Sequence, residues 1–375
     1  MNVAKKVFWI AGESSGDLHA SQVLAASKKV SPNAKHFGIG GPLMAKQGFD
    51  QLYPFARFSV MGFVEVVKHL RFFLNIEREI GQLFRSEPPD LVVLVDYPGL
   101  NMRIAKLAKS LGIPVLYYIC PQFWAWKHKR IFKLKAYTDH IAYILPFEGK
   151  HLDEHHITST YVGHPIAEEI SLNLSKEKFT EKFKLDSQKK WLGFMPGSRD
   201  TEVGKILPEY VKAASQFDST KYEILISLAH AVDRDLFKQI ISTNSNIKVI
   251  EDANYEMMQY CDAMAVTSGT ATLETAFTGT PFVLVYKTSK ISYEIGKRIV
   301  KIKRIGLPNI ILDQDLIPEL IQDDADGTVI ANNLKQILTD PIKNEEIKDK
   351  LQELHDVLGK KSASETTAKI IQEML

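Results

Sequence analysis

At 375 residues the chain is long enough for two ordinary domains with full cores, and 45% apolar with 25% charged residues excludes a disordered or fibrous protein. Its two cysteines, Cys120 and Cys261, lie far apart, which excludes a disulfide framework and a thiolate metal site and makes a reducing cytoplasm the simplest compartment. The net charge of +2 is uneven: residues 1–165 stand at +7 and the remainder at −5. A basic first part is either ordinary solvated surface or a face toward something anionic, such as a phosphorylated acceptor, lipid headgroups or nucleic acid.

Residues 7–11 form the first predicted strand; behind Lys5 and Lys6 this run is too short for a signal-peptide core, and no targeting segment is expected. Strands follow at 91–95, 115–119 and 141–145, all continuously apolar as strands buried on both faces should be. Helical patterns lie between them, at 101–111 and 131–137. A second series of strands runs through 191–195, 223–227, 247–250, 264–267 and 282–285, again with helices between. The seam is Tyr161-Val162-Gly163-His164-Pro165, punctuated by glycine and proline. From Ile330 the pattern is purely helical. Repeated βα alternation predicts an α/β protein of two Rossmann-like, doubly wound parallel-sheet domains, 1–165 and 166–340, facing across a cleft. A helical tail, 341–375, would pack back on the first domain or on a partner subunit. No run reaches the roughly eighteen apolar residues of a membrane span.

Several turns carry the chemistry. Gly12, Glu13, Ser14, Ser15 and Gly16 follow the first strand and open a helix, and Gly38-Ile39-Gly40-Gly41 follows the second; these glycine-rich turns would bring an acceptor against backbone or serve packing alone. Asp96 ends the most apolar strand, where a hydrophobic backing would raise the pKa of a general base; a helix N-cap is the alternative, with Asn101 competing for it. Trp124 and Trp126 line an acceptor or pack as core. In the second half, Pro196-Gly197-Ser198-Arg199 joins a strand to a helix opening near Thr201. Close backbone approach, free helix N–H groups and an arginine fork suit a diphosphate. Ser268, Gly269 and Thr270 make a second such turn, with hydroxyls expected to cap the helix, and Glu274 lies four residues after Thr270, placed to accept the hydroxyls of a ribose. There is no Walker A run and no GxGxxG. Asp-x-Asp triplets at 233/235, 313/315 and 324/326 and the scattered histidines lack ligand spacing, so neither a metal nor a cofactor is expected. Residues 58–74 are apolar on most faces with Lys68, His69 and Arg71 interleaved. As a helix from about Gly62 they would form a core element, or a membrane- or acyl-facing surface of Val60, Met61, Phe63, Val64, Val67, Leu70 and Phe73 rimmed by cations.

Taken in order, the stretches 11–17, 38–44, 60–65, 96–101, 121–127, 145–148, 162–165, 196–199, 268–274 and 307–309 resemble the lipid-A-disaccharide synthases, inverting glycosyltransferases of the GT-B architecture. The resemblance implies transfer from UDP-2,3-diacylglucosamine to 2,3-diacylglucosamine 1-phosphate, giving a β-1,6-linked disaccharide and UDP. It implies Asp96 as base, with Arg199, Glu274 and Asn309 near the UDP, and peripheral attachment to the inner-membrane phospholipids of a Gram-negative-type bacterium, on the cytoplasmic side. It also implies a possible homodimer. Many members carry a second aspartate where this chain has Gly99, which narrows the base to Asp96 with Glu13 in reserve. Rival readings are another sugar-nucleotide enzyme on the same fold, such as an N-acetylglucosaminyl transferase or a 2-epimerase, and a nucleic-acid-binding protein. The acidic second half and the lack of a recognition motif argue against the last.

Overall fold

The computed structural model describes residues 4–53, 55, 58, 70–125, 128–242, 246–299 and 303–375. The first strands are β1 (Lys6–Ala11), β2 (Lys35–Ile39), β3 (Asp50–Gln51), β4 (Leu91–Val95), β5 (Val115–Tyr118), β6 (His140–Tyr143) and β7 (Ser159–Tyr161). They form one wholly parallel sheet in the order β3-β2-β1-β4-β5-β6-β7. Side chains alternate across it. Phe8, Ile10, Val92 and Leu94 enter one core, beneath helices Leu70–Ser86, Pro98–Ser110 and Arg130–Tyr137. Val7, Trp9, Ala11, Leu91, Val93 and Val95 enter the other, beneath helix Ser14–Val30. With both faces covered, continuous apolar runs are what the strands require.

The second sheet comprises β8 (Lys190–Met195), β9 (Tyr222–Ser227), β10 (Ile247–Ile250), β11 (Ala263–Thr267), β12 (Phe282–Tyr286) and β13 (Glu319–Ile321). It too is parallel, in the order β10-β9-β8-β11-β12-β13, around a core of its own. In each sheet the strand order reverses once, between β1 and β4 and between β8 and β11. Such a switch point leaves a crevice beyond the strand C-termini, where open α/β sheets bind ligands.

The chain separates into two units: Met1–Pro165 with Gly359–Leu375, and Ile166–Leu358. The segment 341–375 is therefore not one tail. Ile347, Leu351, Leu354 and Leu358 of helix Pro341–Gly359 belong to the core of the second sheet. Ala363, Ile370 and Ile371 of helix Ala363–Met374 complete the Trp9 face of the first sheet, against helix Ser14–Val30. Gly163, at φ +94°, admits this return: a Cβ there would lie 2.3 Å from the carbonyl oxygen of Lys361.

Candidate functional site

At the switch point of the first sheet, β1 and β4 lie side by side and deliver Gly12-Glu13 and Asp96-Tyr97 to the same edge. Asp96 and Tyr97 both hold left-handed backbone, φ +44° and +45°, a conformation costly for residues with a Cβ. The strain is held from below. The Asp96 carbonyl accepts the Tyr117 hydroxyl at 2.7 Å and the Asn101 amide at 2.7 Å, and the same amide reaches the Val95 carbonyl at 3.1 Å. Neither Asp96 nor Asn101 caps helix Pro98–Ser110, whose N-cap is Tyr97; Asn101 sits inside the helix and clamps the strand end. Just past the end of the next strand, β5, Ile119 is also left-handed, φ +60°, so strained backbone gathers along this edge.

The Asp96 carboxyl is half-buried, and burial, reinforced by the nearby Glu13 charge, pushes its pKa up to about 6 against the opposing pull of His19, the Tyr97 N–H and Arg130. Glu13, Ser14 and Ser15 are exposed and Gly12 is buried. A Cβ on Gly12 would lie 2.8 Å from the Tyr97 ring, so this glycine lets the strained turn pack on the first loop. Gly16 has only ordinary contact space above Ala11. Gly40 and Gly41 answer to packing: a Cβ would meet the Met44 sulfur at 2.6 Å or the Asp17 carboxylate at 2.4 Å. Buried Asp17 accepts the backbone N–H groups of Gly41, Leu43 and Met44 at 2.9–3.0 Å and so fixes helix Pro42–Lys46.

Sequence reasoning passed over Glu148, whose only signal was its place at the end of the 145–148 stretch. It follows β6, is 1% exposed, and accepts the Trp124 indole N–H at 3.1 Å, the Leu145 N–H at 3.3 Å and the Cys120 thiol at 3.5 Å. Burial raises its pKa to about 7. Trp124 is thereby tied to the core and stacks edge-on to Phe147. Trp126 lies outside the described residues, as do Val60, Met61, Phe63, Val64 and Val67. Leu70 opens a helix, and Phe73 is half-buried against Phe72 and the first core.

The second sheet repeats the arrangement. β8 and β11 are neighbours, so the 196–199 and 268–270 turns meet at one switch point. Gly197 has φ +103°, and a Cβ would stand 2.8 Å from the Glu202 carboxylate. Helix Asp200–Ala214 opens behind Arg199, which is the N-cap yet offers no side-chain cap; its guanidinium is largely exposed and pairs with Glu202 at 3.1 Å. Helix Thr270–Phe277 is likewise uncapped at Gly269, against the hydroxyl cap expected: Thr272 donates instead to the Gly269 carbonyl at 2.7 Å. Both helices therefore present open N–H groups flanked by exposed Ser198, Gly269 and Thr270, with Ser268 half-buried. Glu274 is half-buried, its pKa raised to about 7 by burial and by the Glu169 charge.

Asn309 is 2% exposed and fully engaged: its amide donates to the Ile317 carbonyl at 2.8 Å and to Glu319 at 2.9 Å, and its oxygen accepts the Ile317 N–H at 2.9 Å. It clamps the loop before β13. The aspartate triplets have structural uses too. Asp233 and Asp326 cap helices, and Asp313 and Asp315 share Arg304 at 2.5 Å. Among the described residues no group of three or more His, Cys, Asp or Glu is gathered as a metal site, and no helix is long and apolar enough to cross a membrane.

The family model for lipid-A-disaccharide synthetase matches residues 7–374. The chain belongs to the lipid-A-disaccharide synthase family. Relatives described as lipid-A-disaccharide synthase include one from Geobacter metallireducens, 36% identical over 99% of this chain and 97% of that one, and one from Nitrosococcus oceani, 37% identical over 100% and 97%. As members of this family are, it is a glycosyltransferase. Its fold is GT-B. The glycosyltransferase CalG4 superposes with a TM-score of 0.66 at 14% identity, over 100% of this chain and 99% of that one. MurG of Acinetobacter baumannii does so at 0.61 and 12%, over 98% and 99%. A UDP-GlcNAc 2-epimerase from Neisseria meningitidis bound to UDP-GlcNAc shares the fold at 0.67 and 12%, over 98% and 100%.

Proposed function

We propose that the chain transfers a 2,3-diacylglucosamine residue from its UDP donor to the 6-hydroxyl of 2,3-diacylglucosamine 1-phosphate. Asp96 takes the hydroxyl proton as the oxygen attacks the anomeric carbon; the carbon–oxygen bond to the diphosphate breaks, the centre inverts to a β-1,6 linkage, and UDP leaves. The first unit supplies the base. The second supplies the site for the diphosphate, whose developing charge meets the N–H groups at 197–200 and 268–270 and the Arg199 guanidinium. Glu274, hydrogen-bonded to the ribose, would orient the nucleoside. Asn309 shapes this site from below through the loop it clamps. The acylated substrates place the enzyme on the cytoplasmic face of the inner membrane, as a peripheral protein and a possible homodimer, with the 58–74 stretch as its apolar contact.

The observation that carries this reading is the Asp96 carboxyl, strained into place at the switch point with its pKa raised to about 6. A general base works best with a pKa near the working pH. Asp96→Asn should lower disaccharide formation by at least about a thousandfold, at the strong end of general-base effects, while UDP affinity by titration calorimetry stays within a few-fold. In the wild type kcat/KM should fall as pH drops through about 6, because the protonated acid cannot accept a proton. Turnover surviving in Asp96→Asn would transfer the role to Glu13.

A further inference from the structure

Between Asp96 and Asp139 the sequence holds no acidic residue and eight Lys and Arg. The described part of this run forms helices Pro98–Ser110 and Arg130–Tyr137, neighbours on one face of the first sheet. On the former, Arg103 is paired with Glu77 and Lys109 with Asp139. On the latter, no acidic side chain among the described residues pairs with a lysine. Ile131 and Leu134 are buried in the first core, while Phe132, Lys133, Lys135 and Ala136 are exposed, as is Lys129 at the N-cap. At 100° per residue these five positions span an arc of about 160°. Among the described residues no hydrogen bond or ion pair engages the ammonium groups of Lys129, Lys133 or Lys135. In the middle of the arc Phe132 is 61% exposed, and among the described residues its one aromatic neighbour is the steeply inclined His155 ring, 5.5 Å away between centroids. Of the acids on the adjoining helix Glu148–Glu154, Glu154 stands 4.0 Å from His151, and the Asp153 charge raises the pKa of Tyr143.

An outward apolar ring set among unpaired lysines on a short amphipathic helix has the chemistry of an interfacial element, with the cations on lipid phosphates and the ring at the acyl boundary. We propose that the exposed face of helix Arg130–Tyr137 docks on an anionic phospholipid surface through Lys129, Phe132, Lys133 and Lys135. This contact uses residues other than the 58–74 stretch, and it rests on the reading of the chain as a peripheral enzyme acting on acylated substrates. Charge complementarity selects the occupant, and one buried ring fixes depth where lysines alone would only attract. Arg130, whose charge reaches Asp96, sits at the start of the same helix. Docking here would bring the base's end of the first sheet toward the lipid.

Co-sedimentation of the full chain with phosphatidylcholine vesicles, with and without a quarter phosphatidylglycerol, tests this. The wild type should bind the anionic vesicles and release as salt rises. Neutralising all three positions, Lys129→Gln with Lys133→Gln and Lys135→Gln, should weaken binding about a hundredfold, taking roughly fivefold per lysine at a membrane surface. Phe132→Ser should weaken it about tenfold. The same three lysines changed to Arg should bind as the wild type does, which separates lost charge from a damaged fold. A control with the same charge loss in the second unit, Lys178→Gln, Lys182→Gln and Lys238→Gln, should stay within about twofold of wild type. Equal loss in the control, undiminished binding of the helix variants, equal binding to neutral vesicles, or a face that takes up single-stranded oligonucleotide in preference to vesicles would each overturn the proposal. Disaccharide formation with detergent-dispersed substrates should survive the helix substitutions within about twofold. A wild type that forms no disaccharide in detergent would sink the proposed reaction, while the vesicle measurements judge the surface independently.

Discussion

Three carboxyl groups with raised pKa values lie at or beside the two switch points. Asp96 and Glu274 stand at the two switch points with their pKa values pushed up, and Glu148 lies inside the loop structure beside the first. Glu148 has three donors from two successive strand-to-helix connections, so it is a tether for the 120–124 segment. Its ionisation carries a stability cost with a definite sign. Unfolded, the group titrates near 4.5; folded, near 7, so the contribution of its neutral form is complete below 4.5 and is lost as pH rises through 7. Glu148→Gln should therefore gain on the wild type by an amount of the order of 2 kcal/mol between pH 5 and 8, read as a shrinking gap in unfolding free energy. Glu148→Ala should be destabilised at both values, since two buried N–H donors lose their acceptor. A pH-independent gap between Gln and wild type would mean that the carboxyl is solvated.

In the second unit the proposed diphosphate site is built from helix termini. Helices Asp200–Ala214 and Thr270–Phe277 both begin at exposed, uncapped residues, and they begin beside each other because β8 and β11 are paired. Arg199 contributes little to the fold, being 77% exposed with one ion pair to Glu202. Arg199→Ala should leave the unfolding temperature unchanged yet weaken UDP binding by about ten- to a hundredfold, the worth of a charge-assisted hydrogen bond; unaltered affinity in a calorimetric titration would remove the arginine from the diphosphate site. These turns were legible in the sequence because a buried strand, a Gly or Ser turn and a helix follow one another within a few residues. The capping pattern was not. Thr272 bonds a carbonyl where a hydroxyl cap was expected, and Asn101 clamps β4 from within a helix. Propensity cannot separate an asparagine that starts a helix from one that ties a strained strand end beneath it. Asn309 shows the same limit: its three bonds run to residues eight to ten positions away.

Two sheets wound in the same sense, each reversing between its first and fourth strands, make the molecule a doubled Rossmann unit. The apolar central strands announced this plainly. The edge strands β3, β7 and β13, of two or three residues, are too short for any periodicity to register. The fate of the last seventeen residues was equally hidden. An amphipathic helix declares that it has an apolar face, but not which core receives Ile370 and Ile371, and here the chain crosses back to complete the unit it began with. A GT-B fold of this kind accommodates a transferase and an epimerase alike, so the reaction must be decided by its dependence on an acceptor. The decisive measurement is the rate of UDP release from the UDP-diacylglucosamine donor with and without 2,3-diacylglucosamine 1-phosphate. Release should be at or near background alone and rise by several orders of magnitude with the acceptor, one UDP for each disaccharide formed. Acceptor-independent conversion of the donor into another UDP-sugar would contradict the account.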